Sequence, residues 1–89
     1  MEEEKSAALC LKPGAHVVQD QNGWGLQKGA SVRYAATAVQ ALILRRIAAH
    51  VFDLHALTLA VMRQENRNGP LAALEIASFI LDFSDFLED

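Results

Sequence analysis

The sequence predicts an α+β domain: a three-stranded antiparallel β meander followed by a three-helix bundle, in winged-helix-like order. Three observations predict it. Four of the five glycines precede residue 30, where they punctuate short runs that carry β-branched residues, as turn residues do. Asn22-Gly23 lies between two candidate strands, where a tight hairpin needs that pair. From Thr37 onward the apolar residues recur at intervals of three and four, the period of a helix. The stretch Ser31 to Ala38 is therefore the junction between ribbon and bundle.

Residues 1–8 are acidic and then alanine-rich, with no pairing pattern, and read as a disordered tail before one domain over 9–89. Pro13 fixes φ and Gly14 frees it, a turn into the strand His16-Val17-Val18-Gln19. Trp24-Gly25-Leu26-Gln27 returns from the hairpin, and Lys28-Gly29-Ala30 turns the chain into a third strand, Ser31 to Tyr34. Such a ribbon is marginal alone and needs a helical layer against it.

The first helix runs from Thr37 to about Ala49, with Ala41, Leu44 and Ala48 as the seam and Leu42, Ile43 and Ile47 widening it. Asp53 is the N-cap of a second helix ending near Gln64, and Phe52 with Leu57 has the N′ to N4 spacing of a hydrophobic staple. Pro70 suits the first position of a third helix that continues almost to the last residue. On its wheel Glu75, Ser78, Asp82, Asp85 and Asp89 form one narrow polar stripe, and the rest is apolar or small. That arc is wider than one core contact uses. Part of it is read as a groove wall; the alternatives are burial on both sides within the domain and a dimer interface.

At 89 residues the chain supports a single core and no large enclosed catalytic cavity. Its hydrophobic fraction of 52% exceeds what one small core needs, so some apolar surface is expected to meet a partner. The formal charge of −3 argues against nucleic acid, whose affinity comes from lysine and arginine on phosphates. A winged helix with a DNA-reading third helix fails for the same reason, because no lysine or arginine follows Arg67. The longest apolar run, Ala35 to Ala49, is interrupted by Gln40, Arg45 and Arg46 and is too short for a bilayer, and no signal peptide is recognisable. A soluble cytoplasmic protein is expected.

Chemistry has little to use. His16, His50 and His55 include no i, i+4 pair, and Cys10 has no second cysteine at ligand spacing, so no metal site is expected. Gly23, Gly25 and Gly29 lack the lysine and hydroxyl residue of a phosphate loop and sit in a hairpin. Neither a Cys10 nucleophile nor a carboxylate pair on the third helix is favoured over a surface role.

With the elements in place, the chain from Leu9 onward resembles the PqqD-like family of peptide-recognition domains, the RiPP recognition elements. The resemblance rests on Leu11-Lys12-Pro13-Gly14 before the first strand, the Asn22-Gly23 hairpin, Val32-Arg33-Tyr34 as third strand, and Thr37-Ala38 with Leu42 in the helix that follows. The order of three strands and three helices agrees as well. One departure is local: the family commonly places Asn or Asp just after the third strand as helix cap, where Ala35 stands here, leaving Thr37 or water to do that work.

The resemblance implies a non-catalytic peptide chaperone without cofactor, similar to PlpY-like stand-alone partners of radical SAM enzymes. Such a domain takes the leader of a ribosomally synthesised precursor peptide as an added strand and presents it to the modifying enzyme. It implies Ser31, Val32, Arg33 and Tyr34 as the docking edge, and Leu74, Ala77, Ser78, Leu81, Asp82 and Asp85 as lining or rim of the cleft. Arg33 would meet an acid of the leader, or solvent; Asp82 or Asp85 would meet a base. The reading from a different class is a structural or regulatory module that dimerises or docks through its third helix.

Overall fold

The computed structural model describes residues 8–88. Three strands, β1 (Ala15–Asp20), β2 (Gly23–Lys28) and β3 (Ser31–Tyr34), form an antiparallel sheet in the order β1-β2-β3. Three helices follow, α1 (Ala38–Ala48), α2 (Leu54–Gln64) and α3 (Gly69–Asp82), and then one 3-10 turn over Ser84–Phe86. The α+β meander and bundle are as the sequence predicts.

The hairpins differ from the sequence reading in one detail. The residues between β1 and β2 are Gln21 and Asn22, and Gly23 opens β2 with φ of 107°, so it is the glycine that takes the left-handed backbone while Asn22 donates its N–H to Asp20.

Strand alternation puts Val17, Leu26 and Arg33 in one row on the helix side of the sheet. Leu26 is wholly buried there. On the outer side Val18, Gly25 and Tyr34 share a row, and the Tyr34 phenol crosses Gly25 to donate to Asp20 at 2.7 Å. A Cβ at Gly25 would lie 2.6 Å from the Arg33 carbonyl oxygen, so only glycine admits β3 this closely.

In α1 the buried seam is Val39, Ile43 and Ile47 with Gln40, Leu42 and Leu44, whereas Ala48, expected in the seam, is exposed. The larger side chains win the interior because burial stabilises in proportion to apolar area. Asp53 caps α2 by accepting from the Ala56 N–H at 2.9 Å; Leu57 is in the core and the half-buried Phe52 packs against it.

Asn68 caps α3 from the Leu71 N–H, so Pro70 is its second residue rather than its first. The helix ends at Asp82, earlier than the sequence reading. Phe83, Phe86 and Leu87 turn inward instead, the Phe83 ring stacking on Phe79 at 4.6 Å between centroids. The chain then runs back beside the N-terminal segment, with Lys12 N–H donating to Phe86 and Glu88 N–H to Cys10. Ala8, assigned to the frayed tail from sequence, forms a bridge with Asp53; the remainder of that expectation, residues 1–7, lies outside the described residues.

Candidate functional site

The first element of the site is the free edge of β3. Ala35 N–H donates to the Trp24 carbonyl at 2.8 Å, which fixes the parity of the ladder: Trp24 and Ala35 are a hydrogen-bonded pair, and so is Leu26 with Arg33. The intervening residues, Val32 and Tyr34, therefore direct both N–H and C=O away from β2. Their four backbone groups have no strand partner among the described residues. This is the open template a further strand requires.

Side chains along the edge divide by face. Ser31 and Arg33 face the helical layer, while Val32, 43% exposed, and Tyr34 lie on the outer face. The Tyr34 ring is thus absent from the expected cleft, although its backbone borders it. The Asp20 carboxylate that receives its hydrogen bond raises the Tyr34 pKa above the ordinary 10.0, and Asn22 acts in the opposite sense. The Arg33 guanidinium lies 6.0 Å from the centroid of the buried Phe83 ring, within cation–π range. A charged side chain turned inward at a sheet edge also discourages pairing with a copy of the same strand.

The second element is the junction that ties the end of α3 to the exit of β3. Thr37 Oγ1 accepts from Gln40 N–H at 3.1 Å, so the helix is capped two residues beyond Ala35. The Gln40 side chain is 6% exposed and uses both ends of its amide: Oε1 accepts from Ala36 N–H and Nε2 donates to Asp82, each at 2.8 Å. One buried amide joins the exit of β3 to the end of α3. Asp82, expected to meet a basic residue of a ligand, already has one oxygen engaged inside the domain.

The third element is the outer face of α3. Its buried residues, Ala72, Ile76, Phe79 and then Phe83, lie on one side, and Leu71, Leu74, Ala77, Ser78 and Leu81 lie exposed on the other. Burial on both sides within the domain is therefore excluded, since Leu74 is 63% and Leu81 75% exposed. These residues do not all share the cleft. Taking Asp82 as the side turned to Gln40, Ser78 is about 40° round the helix from it, Leu74 about 80°, Leu81 about 100° and Ala77 about 140°. All four turn the same way round the helix, Ser78 nearest the Asp82 side, Leu74 and Leu81 further round, and Ala77 furthest, on the open face. Asp85 sits on the 3-10 turn, off the helical stripe in which the sequence placed it.

Two participants escaped the sequence reading. Gln40 had a signal, since Thr37 and Gln40 have the spacing of a capping box. Phe83 had only its spacing from Phe79. Among the described residues no cluster of three metal-ligating side chains occurs and no helix is long and apolar enough to cross a membrane. Comparison with protein-family models, with curated proteins and with solved structures found no match to the chain.

Proposed function

We propose that the chain is a non-catalytic peptide-binding module that receives the leader of a ribosomally synthesised precursor peptide by strand addition to β3 and presents it to a modifying enzyme, a radical SAM protein, in the cytoplasm. The observation that carries this proposal is the unpaired backbone of Val32 and Tyr34 beside the Arg33–Phe83 contact and the end of α3. An added strand would gain main-chain hydrogen bonds along the edge. Its side chains that point toward the helices would meet Arg33 and Ser78, and Leu74 and Leu81 would widen the apolar contact. The sequence likeness to PqqD-like domains supports the same assignment.

Titration of the isotope-labelled chain with the leader of a precursor encoded beside it tests the proposal. Shifts are expected at residues 31–34 and along α3, with micromolar affinity, on the order of −8 kcal/mol. Val32→Pro should abolish binding, because it removes a donor from the free edge. Absence of binding to any such leader refutes the proposal. The exposed Leu71, Leu74 and Leu81 favour one second reading, a homodimer packed through α3; a dimer dissociated by Leu74→Glu and Leu81→Glu, with no leader bound, is its signature.

A further inference from the structure

Two adjoining grooves run across the face on which α1 meets α2. Leu42, Arg45, Arg46 and Gln64 line the first, and the second, of ≈ 390 Å³, is lined by Arg46, Val51, Leu59, Ala60, Arg63 and Gln64 among others. Arg46 and Gln64 are common to both, so the grooves are continuous. Arg45, Arg46 and Arg63 are exposed, no carboxylate lines either groove, and none of the three has an ion-pair partner among the described residues, where Arg67 pairs with Glu75.

Helix polarity accounts for an arginine near each helix end, since the C-terminus carries partial negative charge. It does not account for their convergence on one trough floored by valine, leucine and alanine. An apolar floor rimmed by guanidinium groups is complementary to a segment with apolar side chains on one face and carboxylates on the other. A second copy seated groove to groove would set arginine against arginine. Nucleic acid and anionic membrane call for a broader basic field than three arginines on a chain of net charge −3 provide.

We infer that the α1–α2 groove is a second docking surface, whose partner is an acidic amphipathic segment of another protein. It shares no lining residue with the β3 edge, so both surfaces can be occupied together, and the inference stands whether or not the edge receives a leader.

The test uses the full chain, isotope-labelled, and a synthetic amphipathic helical peptide with leucine on one face and glutamate on the other. The control peptide replaces each glutamate by lysine. Shifts from the acidic peptide are expected over residues 42–49 and 56–64, with affinity falling at least about tenfold between about 50 and about 500 mM salt. The combined Arg45→Gln, Arg46→Gln and Arg63→Gln variant should lose at least about tenfold in affinity with an unchanged melting temperature. Arg63→Gln alone should lose about threefold, which keeps the test open if the triple variant folds poorly. Equal binding of the lysine peptide, shifts confined to other faces, wild-type affinity of the variants, or displacement of the acidic peptide by phosphatidylserine vesicles or a DNA duplex would each overturn the inference.

Discussion

Proline at position 33 should damage the fold, and proline at position 32 should not. Both residues are exposed members of the same edge strand, and side-chain burial hardly distinguishes them. The ladder does: Arg33 is hydrogen-bonded with Leu26, whereas Val32 points its N–H outward. Arg33→Pro removes one ladder bond, about 1 kcal/mol net, and strands the carbonyl of the wholly buried Leu26, about 1–3 kcal/mol more. The loss is about 2–4 kcal/mol. Val32→Pro removes a donor that already meets water, and its cost is limited to fixing φ, below about 1 kcal/mol. In a domain of this size each kcal/mol moves the melting temperature by about 4–8 °C, so a 2 kcal/mol gap separates the variants by roughly 8–16 °C. Far-UV circular dichroism and the fluorescence of Trp24, whose carbonyl is part of the same ladder, report the transition. Equal melting temperatures, or a lower one for Val32→Pro, would refute the assigned parity and with it the template for an added strand.

Gln40→Ala should destabilise the domain by about 2–4 kcal/mol in urea unfolding, because Ala36 N–H loses its acceptor and a mostly buried side chain is deleted; a loss below about 0.5 kcal/mol would mean the amide is not the joint between strand and helix. His50 ends α1 with φ of 65° in a Schellman arrangement, Val51 N–H donating to Arg46 and His50 N–H to Ile47. His50→Gly should therefore stabilise by up to about 1 kcal/mol, the left-handed strain relieved less the extra entropy of unfolded glycine, and a lowered melting temperature would contradict this. Tyr34 is the only tyrosine, so tyrosinate absorbance titrates it alone. Its folded pKa is raised by the bond to Asp20, so the stabilisation is complete below the ordinary 10.0 and is lost as pH climbs through the raised value. Asp20→Asn should bring the midpoint down; an unmoved midpoint would exclude Asp20 as the cause.

Much of the fold was legible in the residues because the signals are local. The glycines, the Asp53 cap and the period of the helices act over a few positions, and the elements appear near their expected bounds. Two departures are local, the Asn68 cap and Gly23 in the first hairpin, and the end of the third helix lies where the chain meets distant residues. The wheel predicts a continuous third helix, yet it ends at Asp82 and gives way to the 3-10 turn, after which the chain pairs with the N-terminal segment through Lys12 N–H to Phe86, Glu88 N–H to Cys10 and the Leu11–Leu87 bridge. The site was legible in part: the edge residues are contiguous, but their division between two faces depends on the partner strand, and no local signal placed Arg33 over Phe83 or Tyr34 against Asp20.

The sequence by itself determined that a short β ribbon precedes three helices, that the chain is acidic, and that its third helix is apolar or small over most of its circumference. Only the tertiary structure decided which backbone groups of β3 stay unpaired, which leucines of α3 remain in water, and that three arginines from two helices converge on one groove. The physical reason is range. Turns, caps and helical period are set by residues within a few positions of one another, whereas ladder parity, the Gln40–Asp82 joint and the gathering of the arginines exist only once distant segments pack.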